Sequence, residues 1–87
     1  MSVEMLNAAD AVERIRSFRL AGRQVLGIDG FQIVPDGHIA RLDLILDLSL
    51  QPMAAEAAEM AALQFVAAND ADDVMFEVVA TSPLLGS

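Results

Sequence analysis

The segment Val34-Pro35-Asp36-Gly37-His38 constrains the fold of this chain most, because it predicts a tight turn between two strands. Proline fixes φ at the first turn position, aspartate suits the second, and glycine accepts a left-handed backbone conformation. The run before it, residues 25–34, is rich in β-branched and apolar residues, and residues 39–48 alternate between apolar and polar side chains. A period of two is typical of a strand, so the sequence predicts a β-hairpin.

The length of the hairpin loop decides which side chains share a face of the sheet. A two-residue turn at 36–37 would place Asp29 among the leucines of the second strand, and burying an unpaired carboxylate is costly. A three-residue loop, 35–37, pairs Asp29 with Asp43 instead and turns the leucines of the second strand toward the core. We therefore predict the three-residue loop.

Two helices and a third strand are predicted by apolar spacing on either side of the hairpin. The first helix covers residues 7–21, with Asn7 as its N-cap and Gly22 just after its C-terminus. The second helix begins at Pro52 and continues to residue 68. Its buried stripe is expected to comprise Ala54, Ala57, Ala58, Ala61, Phe65 and Ala68. Residues 74–81 alternate as a third strand.

The element order helix, strand, strand, helix, strand predicts an α+β fold, a two-layer sandwich in which both helices cover one face of a three-stranded sheet. The connection through the second helix is long enough to carry the third strand across to the free edge of the first. Residues 1–87 are expected to form one domain, because two would each be too small for a core. Residues 82–87 are expected to be a loose tail.

Composition excludes several classes of function. The chain has 5 arginines, no lysine and 13 acidic residues, for a net charge of −8, and it has no cysteine. Disulfides, thiolate ligands and thiol nucleophiles are therefore excluded, and the net negative charge argues against a nucleic-acid partner, because binding phosphates requires a cationic surface. No apolar run approaches the roughly 18–20 residues that span a bilayer, and no secretion signal is evident. We expect a cytoplasmic domain without cofactor, metal or membrane contact.

The sheet face away from the helices is the main candidate site, because it combines carboxylates with large apolar side chains. Asp29 opposite Asp43 would be an unfavourable like-charge pair that a cationic partner relieves, and Phe31 opposite Arg41 would allow a cation–π contact. The predicted partner-binding residues are Asp29, Phe31, Arg41, Asp43, Asp47 and Glu77. The alternatives are an ordinary solvated face and, less favoured, catalytic paired carboxylates.

Three further features have ordinary structural explanations. The four arginines within residues 14–23 complement the C-terminal end of the helix dipole, with an anion or partner contact as the alternative. The acidic segment 69–73 lacks the glycine and spacing of an EF-hand and is expected to be a solvated turn. His38, the only histidine, is expected to be exposed at the hairpin turn, without the partners that a general base needs.

The motifs Val25-Leu26-Gly27-Ile28-Asp29-Gly30-Phe31 and Phe76-Glu77-Val78-Val79, with the hairpin and acidic strand between them, resemble small acidic bacterial immunity proteins. The resemblance extends over residues 7–80. It implies a non-enzymatic inhibitor that neutralises a toxin, often a basic nuclease, through an acidic surface. It assigns no individual residue.

The leading hypothesis is therefore a non-enzymatic interaction domain whose acidic sheet face binds a basic protein. The alternative is a homodimer in which that face meets a second copy, with a structural or small-ligand-binding role. An enzyme is the third hypothesis, and a deep pocket lined by several of these carboxylates would favour it.

Overall fold

The computed structural model describes residues 4–50 and 53–81. Its elements are α1 (Ala8–Leu20), β1 (Val25–Val34), β2 (Gly37–Asp47), α2 (Ala55–Ala68) and β3 (Val74–Ala80). The predicted order of two helices and three strands is confirmed. The predicted helix start at Pro52 and the predicted tail, 82–87, lie outside the described residues.

The three strands form one antiparallel sheet in the order β2-β1-β3, so β1 is central and β2 and β3 are its neighbours. Both helices pack on one face of this sheet and against each other. Phe76, Ile28 and Val25 are almost completely buried between the sheet and the helices. The predicted α+β sandwich is confirmed.

The boundaries of α1 follow from local chemistry. The side-chain Oδ1 of Asn7 accepts a hydrogen bond from the Asp10 N–H at 2.8 Å, which satisfies one free donor of the first turn. Gly22, just past the end of the helix, has φ +74°, the left-handed conformation expected there. Ala11 and Ile15 are fully buried on the predicted apolar face.

The buried stripe of α2 differs from the predicted one. Ala58, Ala62 and Val66 are buried, whereas Ala57 and Ala68 of the predicted stripe are exposed. Alanine occurs on most sides of this helix, so apolar spacing alone does not distinguish one face from the next. The row at spacing four lies against the sheet because its two alanines allow close approach and Val66 supplies the bulk.

The hairpin loop has two residues, Pro35 and Asp36, because Val34 pairs with Gly37. The predicted three-residue loop is therefore wrong, and so is the pairing of Asp29 with Asp43 that depended on it.

Further along the hairpin, a bulge in β2 shifts the pairing between β1 and β2. Asp29 pairs with Ile45 and Phe31 with Ala40, so residues 41–44 of β2 lie opposite Gly30 alone. Gly30 has no side chain, and a Cβ there would lie 2.5 Å from the Leu44 Cβ. Leu44 is therefore able to lie over Gly30, where it is only 6% exposed, while Leu42 is left 87% exposed.

Candidate interaction surface

The face of the sheet opposite the helices, called here the outer face, is defined by the strand register. Asp29 in the centre of the sheet has Ile45 of β2 on one side and Glu77 of β3 on the other. The residues in phase with these three are Phe31, Ile33, Asp47, Met75 and Val79. Since both helices cover the other side, no described helix shields the outer face.

Four of the six predicted partner-binding residues lie together on this face: Asp29, Phe31, Asp47 and Glu77. The predicted position is wrong for Arg41 and Asp43. The bulge changes the alternation of β2, and the Arg41 guanidinium reaches Gln32, whose neighbour in β3 is the buried Val74. Arg41 and Asp43 therefore belong to the helix side of the sheet, at the hairpin end.

Arg41 and Asp43 form a bidentate ion pair within β2. The Arg41 Nε donates to Asp43 Oδ1 at 2.8 Å and its Nη2 donates to Oδ2 at 2.6 Å. The Arg41 Nη1 also donates to the Gln32 side chain at 3.1 Å, and Gln32 in turn donates to Asp73. The hydrogen bonds with Arg41 lower the pKa of Asp43, and those with Asp43 raise the pKa of Arg41. Both side chains are thus held as a pair.

The predicted contact of Phe31 with Arg41 is absent, because Phe31 lies opposite Ala40. Phe31 instead makes an edge-to-face contact with the exposed His38, with 5.5 Å between ring centroids and 88° between ring planes. His38 therefore lies at the hairpin end of the outer face and is exposed as predicted, although it belongs to β2 rather than to the turn.

The charge of the outer face has one sign. Asp29 and Glu77 are directly opposite each other in adjacent strands, where like charges repel. Asp47 adds a third carboxylate, and none of the chain's five arginines is in phase with this face. The predicted like-charge pair of Asp29 with Asp43 is therefore wrong, and Asp29 instead lies opposite Glu77.

Exposed apolar groups surround these carboxylates. Ile33, Ile45 and Val79 are 37%, 47% and 41% exposed. An open depression of about 280 Å³ lies beside them at Gly27, which has Asp47 and Val79 as its strand neighbours. Its lining residues are Leu26, Gly27, Ile28, Asp29, Ile45, Leu46, Asp47, Ser49 and Val79.

The volume of this depression is large enough for a side chain of another molecule. At its base, the backbone leaves no room for a side chain at residue 27 itself. A Cβ at position 27 would lie 2.6 Å from the Leu46 carbonyl oxygen, so glycine is required there. Two carboxylates, those of Asp29 and Asp47, line this open depression.

Ser49 is a residue of this surface that the sequence reasoning missed. Asp47 Oδ1 accepts hydrogen bonds from the Ser49 N–H at 2.9 Å and from its hydroxyl at 2.6 Å. These bonds lower the pKa of Asp47, so this carboxylate stays ionised beside the depression. The spacing Asp-x-Ser at the end of a strand could have indicated this role of Ser49, because an aspartate side chain there commonly accepts a hydrogen bond from the backbone N–H two residues later.

Two of the four arginines within residues 14–23 lie against the same phenylalanine ring. Arg14 forms an ion pair with Glu4, and its guanidinium is 5.8 Å from the centre of the Phe18 ring. Arg23 lies 4.5 Å above the same ring and donates to the Thr81 carbonyl at 2.6 Å. These contacts favour structural roles for Arg14 and Arg23.

Within residues 4–50 and 53–81, no cluster of three metal-ligating side chains occurs, including the acidic turn at 69–73. No helix of these segments has the length and apolar character needed to cross a membrane. Comparison of the chain with models of protein families, with curated proteins and with solved structures finds no match.

Proposed function

We propose that this protein is a non-enzymatic interaction domain whose outer face binds a cationic protein. The observation that carries the proposal is the like-charge pair Asp29 and Glu77 at the centre of a face that has exposed aliphatic side chains and no arginine. A single-sign surface accelerates association with an oppositely charged partner and disfavours wrong ones. A toxin-neutralising role, as in the immunity proteins that the sequence resembles, is one function of this kind.

The depression at Gly27 is the proposed anchor point. A lysine or arginine side chain of the partner would place its aliphatic stem against Ile45 and Val79 and its charge near Asp29 and Asp47. A chain segment that carries this cation beside apolar residues would then cover the rest of the outer face. The four residues proposed to carry binding are thus Asp29, Phe31, Asp47 and Glu77.

The alternative of a homodimer through this same face is less well supported. Face-to-face association would bring the Asp29, Asp47 and Glu77 carboxylates of both copies together, and the face has no arginine to compensate them. Like charges brought together at an interface cost several kcal/mol in general.

The test first asks whether a neighbouring gene encodes a basic protein, and then measures the affinity for that protein with two double variants that remove the same amount of charge. D29N/E77Q neutralises the outer face, whereas D70N/D72N neutralises the exposed α2–β3 turn. We expect the first double to weaken binding at least tenfold, which is about 1.4 kcal/mol, and the second to change it little. Equal weakening by both doubles would show that overall charge rather than the outer face matters, and would contradict the proposal.

A further inference from the structure

The free edge of β2 is a second surface with the features of an interface. β2 is the outermost strand on its side of the sheet, 11 residues long, and no described strand pairs with its other edge. The opposite edge of the sheet, on β3, is partly covered, because Leu6 and Phe76 exchange two backbone hydrogen bonds of 2.7 Å. Unpaired strand edges bind other strands unless something blocks them.

The bulged segment of β2 exposes apolar side chains at this edge. Leu42 is 87% exposed, and Ile39 and Ile45, three residues away on either side, are 53% and 47% exposed. None of residues 41–44 has a pairing partner in β1, so this segment pairs less with its own sheet than the rest of β2 does.

The sequence around Leu42 is complementary to its own reverse. In an antiparallel arrangement about a two-fold axis at Leu42, each Arg41 lies opposite an Asp43 of the other copy. Opposite charges in directly opposed positions stabilise strand pairs. An isologous contact requires this kind of self-complementarity, since the same patch must serve both partners.

We propose that two copies of this chain associate antiparallel through the β2 edge, with Leu42 at the two-fold axis. The occupant of the edge is a second copy because the charges of Arg41 and Asp43 match their own reverse, whereas the outer face, with one sign of charge, does not match itself. The contact is short compared with a standard interface, so the dimer is expected in the micromolar range.

The first test is sedimentation equilibrium of the full chain across the micromolar range. We expect a monomer–dimer equilibrium that Leu42→Ser shifts to monomer. Leu20→Ser is the matched control, because Leu20 is 89% exposed and belongs to α1 rather than to β2. A monomeric wild-type chain throughout this range would overturn the proposal, and so would equal dissociation by both substitutions.

The second test separates contacts between copies from the Arg41–Asp43 pair within one copy. Arg41→Asp and Asp43→Arg each break the internal pair and place like charges opposite each other in the homodimer, so each variant alone is expected to be monomeric. Mixing them restores opposite charges across the axis while the internal pairs stay broken. A heterodimer in the mixture at physiological salt supports the proposal, and a mixture that stays monomeric overturns it.

Discussion

At the scale of single residues, position in the register decides what an acidic side chain does in this protein. Asp43 and Asp47 are both exposed and both accept close hydrogen bonds, the first from Arg41 and the second from Ser49. Asp29 is opposed by Glu77 across the central strand pair. The first two carboxylates contribute to local order, whereas the pair on the outer face has an unfavourable interaction in the free protein.

Removing that repulsion should stabilise the unbound protein. We expect D29N/E77Q to raise the free energy of unfolding by about 0.2–1 kcal/mol, the usual size of a cross-strand pair interaction. Urea unfolding measures this, with D70N/D72N as the control for a general reduction of charge. If D29N/E77Q is less stable than D70N/D72N, Asp29 and Glu77 have stabilising roles that the strand register does not explain. Weaker binding together with higher stability is the combination expected of a functional site.

At the scale of elements, Gly30 permits the bulge that shapes β2. The Leu44 Cβ and carbonyl oxygen lie 2.5 and 2.9 Å from where a Cβ of residue 30 would be. Any side chain there would force the two strands apart or displace Leu44 from the core. The exposure of Leu42 and the position of Arg41 both depend on this contact, since they follow from the same four bulged residues.

Gly30→Ala should therefore destabilise the fold by about 1–3 kcal/mol, as overpacking generally does. Gly22→Asn is the control, because Gly22 has open space around it and Asn adopts left-handed backbone more readily than most residues. Urea unfolding of both variants is the measurement. A Gly30→Ala variant as stable as the wild type would contradict the packing of Leu44 over this position.

At the scale of the whole molecule, a net charge of −8 on 87 residues opposes the compact state. Among residues 4–50 and 53–81, the ion pairs of Arg14 with Glu4 and of Arg41 with Asp43 use two of the five cations. The excess of carboxylates therefore remains a source of repulsion among exposed groups, and a cationic partner would reduce it.

Sodium chloride should consequently stabilise the free protein. The Debye length falls from about 30 Å at 0.01 M to about 8 Å at 0.15 M, which screens repulsion between distant surface charges. We expect the urea midpoint to rise over this range, and to rise less for D29N/E77Q, from which two of the repelling charges have been removed. A midpoint that falls with salt would mean that attractive pairs outweigh the repulsion.

Local sequence patterns by themselves determined the elements of this protein. Asn7 and Gly22 set the ends of α1 through a cap and a left-handed residue, and the predicted first strand, 25–34, matches β1. Their physical causes act within a few residues along the chain, so no tertiary information is needed. The order of these elements also allowed the third strand to lie beside the first, and the structure has this arrangement.

Only the tertiary structure decided the pairing of β2 and, with it, the composition of the candidate site. The loop of two residues and the bulge opposite Gly30 together moved Arg41 and Asp43 off the outer face and left Leu42 exposed. Alternation along β2 could not reveal this, because a period of two holds only where every residue has a partner. The packing of Leu44 over a glycine in another strand is a contact between residues 14 positions apart, and it selects the register.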